Sequence, residues 1–218
     1  GALVNTSKND SWSSISADGL TLYFTSDRPG GFGSLDLWFT TRGTKSDPWQ
    51  SPVNMGPQIN SSAADGSPWV SADGLELFFG STRPGGYGGT DIWVSTRASS
   101  SDPWGTPVNL GPTVNTPGTE TATWISPDGL AFVLFSDRPG GFGSFDVWMI
   151  TRSSKGSAWD PPRNLGPIVN TPAPDGGPRI SPDGRMLYWW TENPPGAWEY
   201  YQAPIIPIVD FNGDGIVD

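Results

Sequence analysis

One periodicity constrains this chain more than any other feature. The Asp-Gly pair recurs at Asp18, Asp73, Asp128 and Asp183, each 55 residues after the last. The same step links Pro29, Pro84, Pro139 and Pro194, and also Asn5, Asn60, Asn115 and Asn170. In the first three units it relates Asp36, Asp91 and Asp146, then Trp38, Trp93 and Trp148, then Arg42, Arg97 and Arg152. Landmarks in phase along the whole chain define an array of four units, and an array limits the fold to architectures built by repetition. The units run at about 6–60, 61–115, 116–170, and 171–209 with residues 1–5.

Every local signal inside a unit is β. "SPWVSADG" reads as a short strand running into an Asp-Gly hairpin turn, and "LELFFGS" continues as an apolar, aromatic strand. "RPGGYGG" interrupts regular structure, because Pro lacks a donor and Gly accepts positive φ. "TDIWVSTR" alternates apolar and polar residues as a half-buried strand does, and "PVNLG" supplies a fourth short strand. Four short antiparallel strands per repeat describe a propeller blade. The expected fold is therefore all-β, a four-bladed β-propeller with about 55 residues and four antiparallel strands per blade.

The pattern S-[AP]-D-G-L, then S-x-R-P-G-G, then D-[LIV]-W resembles the TolB-type, WD-like β-propeller repeat of bacteria over about residues 5–205. The resemblance implies a propeller whose innermost strand precedes Asp-Gly, and it implies no activity. The fourth unit departs from it, since "TENPPGAWEYYQAP" lacks the Arg and the double Gly. With two residues missing, Glu199 and Tyr201 fall where Asp and Trp are expected. "GALVN" at 1–5 aligns with "GPQIN" at 56–60, so the chain starts just past an outer strand, and "IIPIV" could supply the missing one. A monomeric ring of four is the simplest arrangement. A fragment of a larger ring and a dimeric double ring stay open.

Composition excludes several chemistries. Without Cys or His the chain offers no zinc site of the usual kind, no Ser–His or Cys–His nucleophile and no thiol redox couple. A net charge of −10 disfavours nucleic acid and anionic membrane surfaces. No apolar run approaches the roughly 18 residues of a membrane helix, so membrane insertion is not expected. Twelve Trp and ten Phe offset a hydrophobic content of only 35%. The absence of Cys fits a secreted or cell-surface bacterial protein whose leader has been removed.

Four groups of residues are candidate sites. The loop "SDRPGGFGS" at 26–34 returns at 136–144, but it leads into a strand rather than a helix, which disfavours a phosphate cradle. It reads as a structural connection. Asp36, Asp91 and Asp146 are expected to accept backbone N–H groups, and Arg28, Arg83 and Arg138 to pair with carboxylates between neighbouring blades. Asp10, Asp65, Glu120 and Asp175 stand 55 residues apart before the innermost strands. They could converge at a channel mouth around calcium or another hard cation, or a cationic ligand; equally, each could bond backbone amides in its own turn. The tail "DFNGDGIVD" resembles the start of a dockerin or EF-hand calcium loop. That resemblance implies Asp210, Asn212, Asp214, the carbonyl of Ile216 and Asp218 as ligands. Trp49, Trp104 and Trp159 either stack sugars or seal the gaps between blades. No organic cofactor is called for.

The reading that follows is a secreted, non-catalytic binding or scaffold module with a carbohydrate, protein or cell-surface partner. The alternative is a glycoside-active enzyme working through carboxylates.

Overall fold

The computed structural model describes residues 3–181 and 183–205. Four antiparallel sheets, with no helix among the described residues, form the blades of a four-bladed β-propeller. Blade one holds β1 (Asp10–Ile15), β2 (Thr21–Ser26), β3 (Asp36–Thr41) and β4 (Val53–Asn54). Blade two holds β5 (Asp65–Val70), β6 (Glu76–Ser81), β7 (Asp91–Thr96) and β8 (Val108–Asn109). Blade three holds β9 (Glu120–Ile125), β10 (Ala131–Ser136), β11 (Asp146–Thr151) and β12 (Arg163–Asn164). Blade four holds β13 (Asp175–Ile180), β14 (Met186–Glu192) and β15 (Trp198–Pro204), three strands among the described residues. Most of "IIPIV" and the whole tail from Asp210 to Asp218 lie outside the described residues.

The repeated letters do specific jobs in this frame. At the first hairpin the Asp18 carboxylate accepts from the Leu20 N–H at 2.9 Å and from the Ser16 hydroxyl at 2.5 Å, while Gly19 takes a φ of +75°. This Ser/Asp turn recurs at Ser71/Asp73, Ser126/Asp128 and Ser181/Asp183. The asparagine that closes each unit works equally locally: Asn60 accepts the Leu37 N–H and donates to the Leu37 carbonyl. Asn115 and Asn170 do the same for Ile92 and Val147.

In blades one to three the second strand buries both faces, so its pattern is a largely apolar run rather than an alternation. In β6, Leu77 and Phe79 join a cluster with Tyr23, Leu37 and Ile59 of blade one. Phe78 between them points the other way, into a cluster with Phe132 and Trp159 of blade three. Burial of each such ring stabilises by about 1.5–3 kcal/mol. Trp104 packs against the first of these clusters and Trp159 belongs to the second, so both tryptophans pack between blades.

The glycine-rich connection belongs to the blade junction as well. A Cβ on Gly33 would stand 1.8 Å from the carbonyl oxygen of Ala63, and one on Gly88 or Gly143 would stand 2.1 or 2.3 Å from that of Pro117 or Ala173. Glycine is required there because one blade's loop lies against the next blade's backbone. Neighbouring blades are also joined by main-chain bonds from Asp65 N–H to Leu35, Glu120 N–H to Thr90 and Asp175 N–H to Phe145.

The junction between blades four and one differs from the other three. Adjacent blades elsewhere pack strand against strand, yet among the described residues no strand of blade four packs against a strand of blade one. Asn5, in phase with three asparagines that are at most 3% exposed, is itself exposed. Four blades share one axis, and among the described residues the ring has an open seam.

Candidate functional site

The carboxylates that recur in register are absorbed by the blades themselves. Asp65 accepts from the Ser81 hydroxyl at 2.5 Å and from Arg83 Nη2 at 2.7 Å on one oxygen. Its other oxygen takes the Ser61 N–H at 2.6 Å and the Ser61 hydroxyl at 2.8 Å. Asp10 repeats the arrangement with Ser26, Arg28 and Thr6. Glu120 repeats it with Ser136, Thr116 and Arg138, the last at 3.4 Å. Asp175 keeps the Thr171 and Thr191 contacts, but Asn193 occupies the in-phase arginine position. Burial alone would raise the Asp10 carboxyl. Hydrogen bonds from Ser26, Arg28 and Thr6 outweigh that effect and hold it well below the ordinary carboxylate range.

This geometry decides one expectation and corrects another. Of the two arrangements open for the four acids, the structure shows each bonding a backbone amide in its own turn, and among the described residues no three carboxylates gather closely enough to hold a metal ion. Each faces the second strand of its own blade, because the side chain that starts an innermost strand pairs across to Ser26, Ser81, Ser136 or Thr191. Nor do the arginines reach carboxylates of neighbouring blades. Arg28, Arg83 and Arg138 pair within their own blade, and what they give the preceding segment is a hydrogen bond to the carbonyl of Val4, Ile59 or Val114. Blade-to-blade ion pairs do exist, from Arg152 to Glu76 at 2.6 Å and from Lys155 to Asp73.

The second set of acids pins the glycine-rich connection. Asp36 accepts the N–H groups of Phe32 and Gly33, Asp91 that of Tyr87 and Asp146 that of Phe142. Burial pushes the Asp146 carboxyl up despite its amide donors. Arg42, Arg97 and Arg152 lie over Trp49, Trp104 and Trp159 at 4.2, 4.1 and 4.4 Å. Repetition in this molecule therefore marks structure.

The axis is where the repeats meet and fail to match. Each innermost strand has a register shift near its middle. At the bulge Trp12 and Ser67 take φ of 49° and 52°, and Gly177 takes 56°. A bulge lifts residues out of the ladder and re-aims their side chains. The positions that follow it, Ser14, Trp69, Trp124 and Arg179, are in phase by 55 residues yet carry three different residue types. They line a cleft of about 400 Å³ that reaches from the axis to the open seam, where Leu22 of β2 completes one wall.

Arg179 is the cation of this cleft. Its guanidinium lies 5.0 Å from the Trp69 ring centroid and donates to the Ser13 carbonyl at 3.4 Å. Among the described residues no carboxylate pairs with it. Neighbouring atoms lower its pKa by desolvation, and an arginine remains charged regardless. Across the axis Trp12 stacks on Phe135 at 6.0 Å, and Phe135 meets Trp190 edge-on at 6.2 Å. None of the residues lining the cleft is acidic. The arrangement offers aromatic faces, one positive charge and hydroxyls, but no proton-transfer pair.

No protein-family model matches the chain, and no curated protein matches it by sequence. Solved structures do. A protein assigned as TolB from Agrobacterium tumefaciens superposes with a TM-score of 0.59 at 19% identity, over 93% of this chain and 61% of that one. A Hadza microbial sialidase gives 0.56 at 14% identity, over 89% of this chain and 44% of the other. An α-L-arabinofuranosidase from Podospora anserina, solved with cellotriose, gives 0.55 at 14% identity, over 90% and 64%. The chain thus spans less than two thirds of each of these proteins. What it shares with them, the bacterial TolB included, is the β-propeller fold.

Proposed function

We propose that this protein is a non-catalytic binding module of bacterial origin, secreted or displayed at the cell surface, that takes a carbohydrate in the axial cleft. One observation carries the reading: the carboxylates in register are buried in structural networks, while the cleft is lined by tryptophan, serine and arginine. Indole faces suit the apolar faces of sugar rings, and a volume near 400 Å³ sits at the lower end of small-ligand pockets, roughly 300–1,000 Å³. The propeller neighbours are compatible with an extracytoplasmic setting, and among the described residues no helix is long and apolar enough to cross a membrane.

The rival is a glycoside-active enzyme, favoured by the fold that the chain shares with a sialidase and an arabinofuranosidase. Such enzymes need two carboxyl groups facing a common space, roughly 5–10 Å apart. A glycan array run beside a panel of chromogenic glycosides separates the two readings. Retention of glycans without turnover is the expected result. Release of chromophore at a rate that survives repurification would sink the binding-module reading.

A further inference from the structure

Resting on the axial cleft as a carbohydrate site, we infer that it selects a saccharide bearing a single carboxylate, of the hexuronate kind, with the acid group on Arg179. Two independent observations carry this. The first is the guanidinium itself: it reaches into the cleft over Trp69, makes one long contact to a carbonyl, and has no carboxylate partner among the described residues. Arg28, Arg83 and Arg138, by contrast, are each paired with an acid. A guanidinium held over an indole keeps its fork of donors, and a planar carboxylate fits that fork with two parallel bonds.

The second observation is Ser14, only 5% exposed, a residue that lines the same cleft and whose hydroxyl is buried without a hydrogen-bond partner. A small rotation of the Ser14 side chain would let an entering hydroxyl or carboxylate oxygen satisfy a group otherwise left unpaired, which gains more than an ordinary hydrogen bond. The indole N–H groups of Trp38, Trp93 and Trp148 are also buried without partners, but they recur in register and belong to the blades. Ser14 does not recur: its in-phase partners are Trp69, Trp124 and Arg179. The two tryptophans supply the walls against which a sugar face lies. A net charge of −10 repels polyanions at long range, which restricts the ligand to a sugar whose one negative charge meets Arg179 at close quarters.

Calorimetry on the full chain tests the assignment, using short oligosaccharides ending in glucuronate or galacturonate, their neutral glucose and galactose counterparts, and sulfated versions. The uronates are expected to bind at least about tenfold more tightly than the neutral sugars, as one charge-assisted pair implies. Arg179→Gln should erase that preference, and Arg179→Lys should restore part of it. Ser14→Ala should weaken uronate binding roughly threefold. Melting temperatures matching the parent show that the variants fold. Equal affinity for uronate and neutral sugar, or a preference that survives Arg179→Gln, overturns the role of Arg179 and leaves the carbohydrate reading standing. A preference for the sulfated sugars overturns the carboxylate as the recognised group. Binding of no sugar at all overturns both.

Discussion

The junction between blades two and three and the one between blades four and one are built from the same repeat, yet among the described residues only the first is closed. At the closed junction Phe78, Phe132 and Trp159 interlock, and Arg152 and Lys155 of one blade pair with Glu76 and Asp73 of the other. At the open one, Arg179 reaches the Ser13 carbonyl and a cleft remains. The counterpart of the fully buried Phe78 is Tyr188, 42% exposed. A blade face is thus apolar because another blade covers it, and the same face left uncovered becomes a surface that can meet a ligand.

Substitutions in phase break or sharpen this contrast. Phe78→Ala should cost about 3–5 kcal/mol in chemical denaturation, and Tyr188→Ala less than about 1. A large loss from Tyr188→Ala would mean that the seam is covered in solution. Asp65→Ala strands a mostly buried arginine and should cost about 3 kcal/mol. Asp175→Ala, in the blade whose arginine position is Asn193, should cost less, and equal costs would show that the arginine contributes little to the brace.

The smallest effect concerns pH. Asp73 has its carboxyl lowered from 3.8 to about 2: desolvation opposes the shift, and the Lys155 ammonium, the Ser71 hydroxyl and the Leu75 N–H overcome it. A lowered folded value means stability that is present above the unfolded pKa and is lost as pH falls from about 4 towards 2. Asp73→Asn should flatten that part of the acid limb in thermal melts. At neutral pH it should cost under about 1 kcal/mol, because the pair is partly exposed. Arg179→Gln at the open seam should change neither limb.

The repeat was fully legible in the sequence, since turn chemistry and strand period act locally and leave their letters at fixed offsets. Asn60 was legible only as a landmark in phase, whereas Asp18 and Asp36 could be read as structural before any coordinates. The direction of Asp65 could not, because spacing places a residue at a strand start without saying whether it faces the axis or its own hairpin partner. The cleft was hidden for the opposite reason. Ser14, Trp69, Trp124 and Arg179 share a phase and no common identity, and a search for recurring letters passes over them. The usable signal was a column in register whose occupants differ.

The bulge in each innermost strand has a consequence for how such a protein changes over generations. Ser14, Trp69, Trp124 and Arg179 follow the bulge and differ from blade to blade, while the acids that brace each blade stand at the strand starts, so the cleft column can change without touching those braces. Recognition and stability are therefore written at separate positions in every unit. A chain of this design can acquire a new ligand by editing one column while inheriting the rest unchanged.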